Sequence, residues 1–185
     1  MKKLNIAVFL LMVMAICLPS SVKAQEKVEF ANLAVNVQMP ENDQVSAAVL
    51  SSLQDKLYEA VSLNALGSTD ADSRFVILPI VNIVSKNVTT SIPPQFVAEV
   101  EIALYFADNY TRTILSQVVI SKKAMDDSEA KAVSKAVKSL QARDKKIKRL
   151  FDAGKKNLAE YFATHTEEVE VVGETDTDWI LKNNE

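Results

Sequence analysis

Between Arg74 and Lys122 three apolar runs succeed one another with only short turn signals between them, and no helical period fits any of them. Phe75, Val76, Ile77, Leu78, Ile80, Val81, Ile83 and Val84 form a nearly continuous β-branched block, the pattern of a strand covered on both faces. After Pro93 and Pro94 the second run alternates: Phe96, Ala98, Val100, Ile102, Leu104 and Phe106 fall on one side, Gln95, Glu99, Glu101 and Tyr105 on the other. Asp108-Asn109-Tyr110 predicts a hairpin turn, and Ile114 to Ile120 returns as a third strand. A chain with this centre is committed to an antiparallel meander with one face packed and the other wetter.

The flanking segments change period. Gln25 to Met39 reads as a first strand whose phase slips near Ala31-Asn32, so a bulge sits there or the strand begins at Leu33. Pro40 ends it, Asn42 or Asp43 can cap the next element, and Val45, Val49, Leu53, Leu57 and Val61 make an amphipathic helix over 45–66. Gly67 stands where a helix-ending residue with positive φ is expected. Pro79 conflicts with a central strand, because it removes one ladder hydrogen bond. A bulge there, or pairing on one side only, would resolve the conflict. Beyond the meander, Asp126-Asp127-Ser128 predicts the cap of a second helix, and Ile147, Leu150, Phe151, Leu158, Tyr161 and Phe162 mark a third, continuous with the second or broken near 142–144. The predicted fold is therefore α+β, a four-stranded mostly antiparallel sheet in the order strand-helix-strand-strand-strand-helix-helix, packed against helices.

Lys2 and Lys3, the apolar stretch from Ile6 to Leu18 and Val22-Lys23-Ala24 read as a cleaved secretory signal over 1–24. The reading leaves one domain over 25–166, an acidic tail over 167–185 expected to be mobile, and no membrane-spanning segment. The single cysteine, Cys17, lies inside the signal behind Ile16, where a lipidation signal prefers a small residue, so the expected product is not a lipoprotein. A cysteine-free export points to a bacterial envelope protein of the periplasm or extracellular space. Loss of Lys2, Lys3 and Lys23 moves the formal charge from −3 to −6, which argues against nucleic acid as a partner.

With glycine only at 67, 154 and 173, no phosphate loop or dinucleotide fingerprint can be built, and no cofactor is expected. The single histidine, His165, follows the last helical apolar pair, a poor place for a positioned base or a metal ligand, and no metal site is expected. Glu99 and Glu101 project from one strand face, and paired carboxylates so placed can hydrolyse glycosidic bonds. The same alternation arises wherever a sheet face meets water. Charge is segregated: 122–156 holds twelve Lys or Arg against five Asp or Glu, and 167–185 holds seven acidic residues against one lysine. Lys131, Lys135, Lys138, Lys145, Lys146, Lys148, Arg149, Lys155 and Lys156 are expected to form a basic helical face, a binding surface for an acidic partner or for the tail itself.

The helix over 45–66, the strand opening at Arg74-Phe75-Val76-Ile77 and the hairpin over 97–120 together resemble the periplasmic α+β domain of the TolB amino-terminal type, found also in curli-secretion lipoproteins and lipoprotein activators of penicillin-binding proteins. The resemblance covers about two thirds of the exported chain and rests on pattern rather than a motif. It implies a non-enzymatic accessory that docks on a larger envelope machine, and it assigns no functional residue. The readings are thus a binding or assembly accessory with an envelope protein or anionic surface as partner, a hydrolase using Glu99 and Glu101, or a small-ligand carrier with its pocket between sheet and helices. Oligomeric state is not legible.

Overall fold

The computed structural model describes residues 33–67 and 73–164. Its elements run in the order β1 (Val35–Val37), α1 (Ala47–Leu63), β2 (Phe75–Val88), β3 (Phe96–Asp108), β4 (Thr113–Asp126), α2 (Glu129–Lys138) and α3 (Lys145–Thr164). The strands make one sheet in the order β1-β2-β3-β4. β1 runs parallel to β2, joined through α1, and the other neighbours are antiparallel. The chain is thus α+β with a mixed, mostly antiparallel sheet, as the periodicities predict.

The pairing settles the conflict at Pro79. β1 pairs only with Phe75 to Ile77, and its last contact is the N–H of Gln38 donating to the carbonyl of Ile77 at 3.0 Å. Among the described residues the strand at Pro79 has a neighbour on one side alone, Leu104 of β3, so the missing N–H faces no described strand. The bulge lies farther on, between Ile83 and Ser85. β4 is longer than the sequence predicts and runs on to Asp126, because Lys122, Lys123 and Asp126 look like loop residues until their pairing with Val100, Glu99 and Phe96 is seen.

All three helices join the core on one face of the sheet. Ile77 and Val81 of β2, Val100 to Phe106 of β3 in alternation, and Leu115 and Ile120 of β4 meet Leu53 and Leu57 of α1, Val133 and Val137 of α2, and Ile147, Leu150, Phe151 and Leu158 of α3. Each such side chain contributes about 1.5–3 kcal/mol on full burial. The ring of Phe106 lies 6.3 Å from Phe75 and 5.9 Å from Phe151, centroid to centroid. α3 crosses this ring at Gly154, where a Cβ would stand 2.2 Å from Phe106 Cδ1 and 3.0 Å from Ser116 Oγ. The opposite sheet face has its own small cluster of Val76, Leu78 and Ala107, flanked by Tyr105 and Ile114.

Caps fix the helix ends. The Ser128 hydroxyl accepts from the Lys131 N–H, as the sequence predicts for α2. Ahead of α1, Asn42 Oδ1 accepts from the N–H groups of Gln44 and Val45 in a turn, but the N-cap is Ser46, whose side chain makes no cap hydrogen bond, so the reading of Asn42 or Asp43 as the cap is corrected. α2 and α3 are separate, and Asp144 opens the second of them. Its carboxylate accepts from the Lys146 N–H at 2.8 Å and from Lys122 Nζ at 3.2 Å. Burial works against the Asp144 charge, but these donors outweigh it and hold the carboxyl below its ordinary range. At the end of α1 the left-handed residue is Ala65, with φ 53°, and not Gly67, which donates its N–H to Leu33. The reading of Gly67 as the positive-φ stop is corrected: the chain turns two residues earlier.

Candidate functional site

The nine predicted cations do not share one environment. On α2, Lys131 pairs with Asp127 at 2.7 Å, and Lys135 reaches Asp126 at 3.4 Å and the Met125 carbonyl at 3.1 Å. Asp126, Lys131, Ser134, Lys135, Lys138 and Ser139 line a surface hollow of about 460 Å³. The hydrogen bond to Asp127 raises the Lys131 ammonium above the usual lysine range, and the Asp127 N–H lowers the Asp126 carboxyl, so both stay charged at neutral pH. On α3, Lys148 pairs with Asp152 at 2.7 Å and Lys156 with Glu160 at 3.7 Å. Lys146 folds back to the Val119 carbonyl at 2.8 Å, and Lys155 donates to the Asn64 carbonyl at the end of α1. Burial lowers the Lys155 ammonium below its ordinary range.

What remains is a corner. Lys138 closes α2, Lys145 opens α3 and Arg149 lies one turn along it; all three are exposed and form no ion pair among the described residues. Arg143, in the turn that joins the two helices, is a fourth such group. The sequence reading omitted it because it falls between the helical patterns. Lysine-rich helices thus resolve into six groups engaged with the fold and a smaller set of four cations with no carboxylate paired to them among the described residues. Each of the four sits in water, where a strong anion can gain contacts without first breaking an internal pair.

Glu99 and Glu101 do lie on one face of β3, the side away from the helices. Glu99 stands opposite Lys123 of β4 and Ser85 of β2, and Glu101 opposite Ser121 and Asn82. Ser121 Oγ approaches Glu101 Oε1 at 3.5 Å. Both carboxylates are half-buried in a flat polar ladder, and neither lines the hollow on α2 or the cavity of about 310 Å³ between the α3 end and the β3–β4 turn. Replacing both by Gln is expected to change stability by less than about 0.5 kcal/mol, the ordinary range for surface positions, and to leave binding intact. A large loss of biological activity with unchanged circular dichroism would restore the hydrolase reading. The space between sheet and helices, where a carrier would keep its pocket, is filled by Phe106, Phe151, Leu104, Ile147 and Leu150, each no more than 2% exposed.

A third cluster escaped the sequence reading. Arg74, just ahead of β2, donates to Asp108 Oδ2 through Nε at 2.9 Å and Nη2 at 2.5 Å. Its guanidinium lies 5.1 Å from the ring of Phe75, 5.9 Å from Tyr110 and 5.5 Å from Phe162 at the end of α3. Asp108 is buried and also accepts from the Tyr110 and Thr111 N–H groups, so the cluster fastens the β3–β4 turn to α3.

No protein-family model matches the chain, and no curated protein matches it in sequence. Solved structures are similar at low identity. A minor lipoprotein from Acinetobacter baumannii is 8% identical with a TM-score of 0.42, and the match covers 70% of this chain and 94% of that one. A lipoprotein candidate from Caulobacter crescentus CB15 is 12% identical with a TM-score of 0.39, covering 72% and 93%. A candidate neuraminyllactose-binding hemagglutinin homolog from Helicobacter pylori is 14% identical with a TM-score of 0.46, covering 78% and 94%. Two of these three structures are described as lipoproteins. The expectation that the chain is not a lipoprotein is corrected on this finding. Ile16 weakens the fit to a lipidation signal but leaves the Cys17 thiol that would carry the lipid, and that residue, like His165 and the acidic tail, lies outside the described residues. Among the described residues no helix is long and apolar enough to cross a membrane, and no three His, Cys, Asp or Glu side chains gather as metal ligands.

Proposed function

We propose that the protein is a non-enzymatic accessory of the bacterial envelope that docks on an anionic partner through the corner between α2 and α3. The observation that carries this reading is the set Lys138, Arg143, Lys145 and Arg149, exposed and without ion pairs among the described residues, on a chain whose formal charge is negative. The filled core and the flat Glu99 and Glu101 ladder favour it over a carrier or a hydrolase.

Contact through these cations is screened over about 8 Å at physiological salt, so binding should fall steeply as salt rises. Each basic group near an anionic membrane is worth about 1 kcal/mol. Changing all four to Ala is therefore expected to weaken low-salt binding to phosphatidylglycerol vesicles, or to an acidic protein in envelope extract, by at least about tenfold. The two assays separate a lipid from a protein partner. Equal retention of variant and parent in both, with thermal stability unchanged, would overturn the reading.

A further inference from the structure

The two edges of the sheet are treated differently. On β4 the carbonyls of Leu115, Val119 and Met125 point away from β3, and helix side chains answer all three: Asn157 at 2.7 Å, Lys146 at 2.8 Å and Lys135 at 3.1 Å. An incoming strand would have to displace these donors, which is one way a native sheet guards an edge. The other edge is β2, beyond its short pairing with β1. There the Ile77 and Val81 carbonyls accept from the Gln38 N–H and from Asn42 Nδ2, both at 3.0 Å, whereas the Thr89 N–H turns inward to the Gln95 carbonyl at 2.8 Å. Alternation on either side of the bulge between Ile83 and Ser85 leaves Lys86 and Val88 with N–H and C=O both pointing outward. Among the described residues none of these four groups has a partner. Val88 is 58% exposed, residues 84–90 hold no proline, and the one charge there, Lys86, is paired with Glu129 of α2 at 2.6 Å.

We propose that a second copy of the chain adds to this edge, β2 against β2, in an antiparallel register centred on Asn87. The stretch is complementary to itself in that register. Asn87 stands opposite Asn87, Lys86 opposite Val88 and Ser85 opposite Thr89, so no like charges meet, whereas a register centred on Lys86 would oppose two ammonium groups. Lys86 and Val88, the two residues with outward backbone groups, then exchange N–H and C=O bonds with Val88 and Lys86 of the second copy. Asn42, bonded to Val81, bars the incoming strand from going farther, so pairing stops near Val84 opposite Thr90. Two residues past Thr90 is Ile92, the most exposed large apolar residue at 98%. The register carries it to a hollow of about 160 Å³ on the other copy, where α1, α2 and β2 meet and Val45, Val49, Ile83 and Val133 supply the apolar lining. Each copy thus offers one apolar knob and one hollow. The contact is isologous and closes as a two-fold dimer, and the guarded β4 edges keep it from growing into a fibre.

Sedimentation equilibrium of the full chain should show a monomer–dimer equilibrium. Val88→Lys sets a lysine opposite Lys86 of the other copy, twice by symmetry, and Val88→Glu sets a carboxylate there. The Glu variant should therefore dimerise at least about tenfold more tightly than the Lys variant. Ile92→Asp should weaken the dimer while circular dichroism and thermal stability are retained, because that side chain touches almost nothing in the monomer. Cysteine reads the register. In a Cys17→Ser background, Asn87→Cys puts two thiols on a non-hydrogen-bonded pair with Cα atoms about 4.5 Å apart, within reach of a disulfide, and oxidation should give a covalent dimer. Ser85→Cys, about 13 Å from its copy in this register, should not cross-link. A chain that stays monomeric at submillimolar concentration would overturn the proposal. So would a dimer indifferent to the charge at position 88, or one that cross-links through 85 in place of 87.

Discussion

Gly154→Ala is expected to destabilise the protein by about 1–3 kcal/mol, although alanine is the better helix former. Two effects oppose each other at this position. In an exposed helix interior the replacement gains about 1 kcal/mol from propensity. Here the new methyl would meet Phe106 Cδ1 at 2.2 Å and Cε1 at 2.7 Å, below any real contact, and Ser116 Oγ at 3.0 Å. The ring cannot swing aside, because Phe75 and Phe151 hold it at 6.3 and 5.9 Å and Phe106 is 0% exposed. Ser116 is fixed too, through its hydrogen bond to the Leu150 carbonyl at 2.7 Å. Either α3 lifts from the sheet or the aromatic stack breaks, and both cost more than propensity returns. Urea unfolding of Gly154→Ala, Phe106→Leu and the double variant measures this. Phe106→Leu frees the space, so the double variant should lose less than the two single losses added together. A Gly154→Ala protein as stable as the parent would show that α3 does not approach the sheet this closely.

That glycine also marks where the sequence stops being informative. Its neighbours Leu150, Phe151 and Leu158 announce a helix by their spacing, but that a ring from a strand far back in the chain lies against position 154 depends on tertiary packing alone. The alternation of Phe96 to Phe106 was legible because only one face of β3 meets the helices. The β-branched block of β2 reads as doubly covered throughout and is so only in its first part: Ile77 and Leu78 are both sealed, but Val84 is 54% exposed. The final turns of β4 were not, because Lys122 and Lys123 give no apolar period even though both are paired in the ladder. Charge was the least legible property. Counting lysines located a basic stretch, yet Lys146 and Lys155 spend their charge on carbonyls at 119 and 64, and Lys131 on a carboxylate four residues away. What a cation does is set by what lies opposite it in space, and a count of lysines cannot tell Lys138, Arg143, Lys145 and Arg149, which form no ion pair among the described residues, from the engaged ones.

Asp108→Ala is expected to cost about 3–5 kcal/mol, the largest single-site loss outside the apolar core. The carboxylate is 1% exposed and answers four donors: Nε and Nη2 of Arg74, and the N–H groups of Tyr110 and Thr111. Removing it leaves the Arg74 guanidinium, itself only 20% exposed at the side chain, among three aromatic rings with no counter-charge. It also frees two N–H groups in a turn already strained by the left-handed Arg112, with φ 52°. Asp108→Asn separates the two contributions. The amide oxygen can still accept from the turn, so this variant should lose about 1.5–3 kcal/mol, the value of hydrogen bonds to a charged group. Arg74→Leu leaves a buried carboxylate held only by the turn, and Arg74→Leu with Asp108→Leu should be less damaging than the two single changes summed. Denaturant unfolding of the four variants decides the matter. If Asp108→Ala loses less than about 1 kcal/mol, the pair behaves as an ordinary surface salt bridge, and the β3–β4 turn is held to α3 by its aromatic contacts instead.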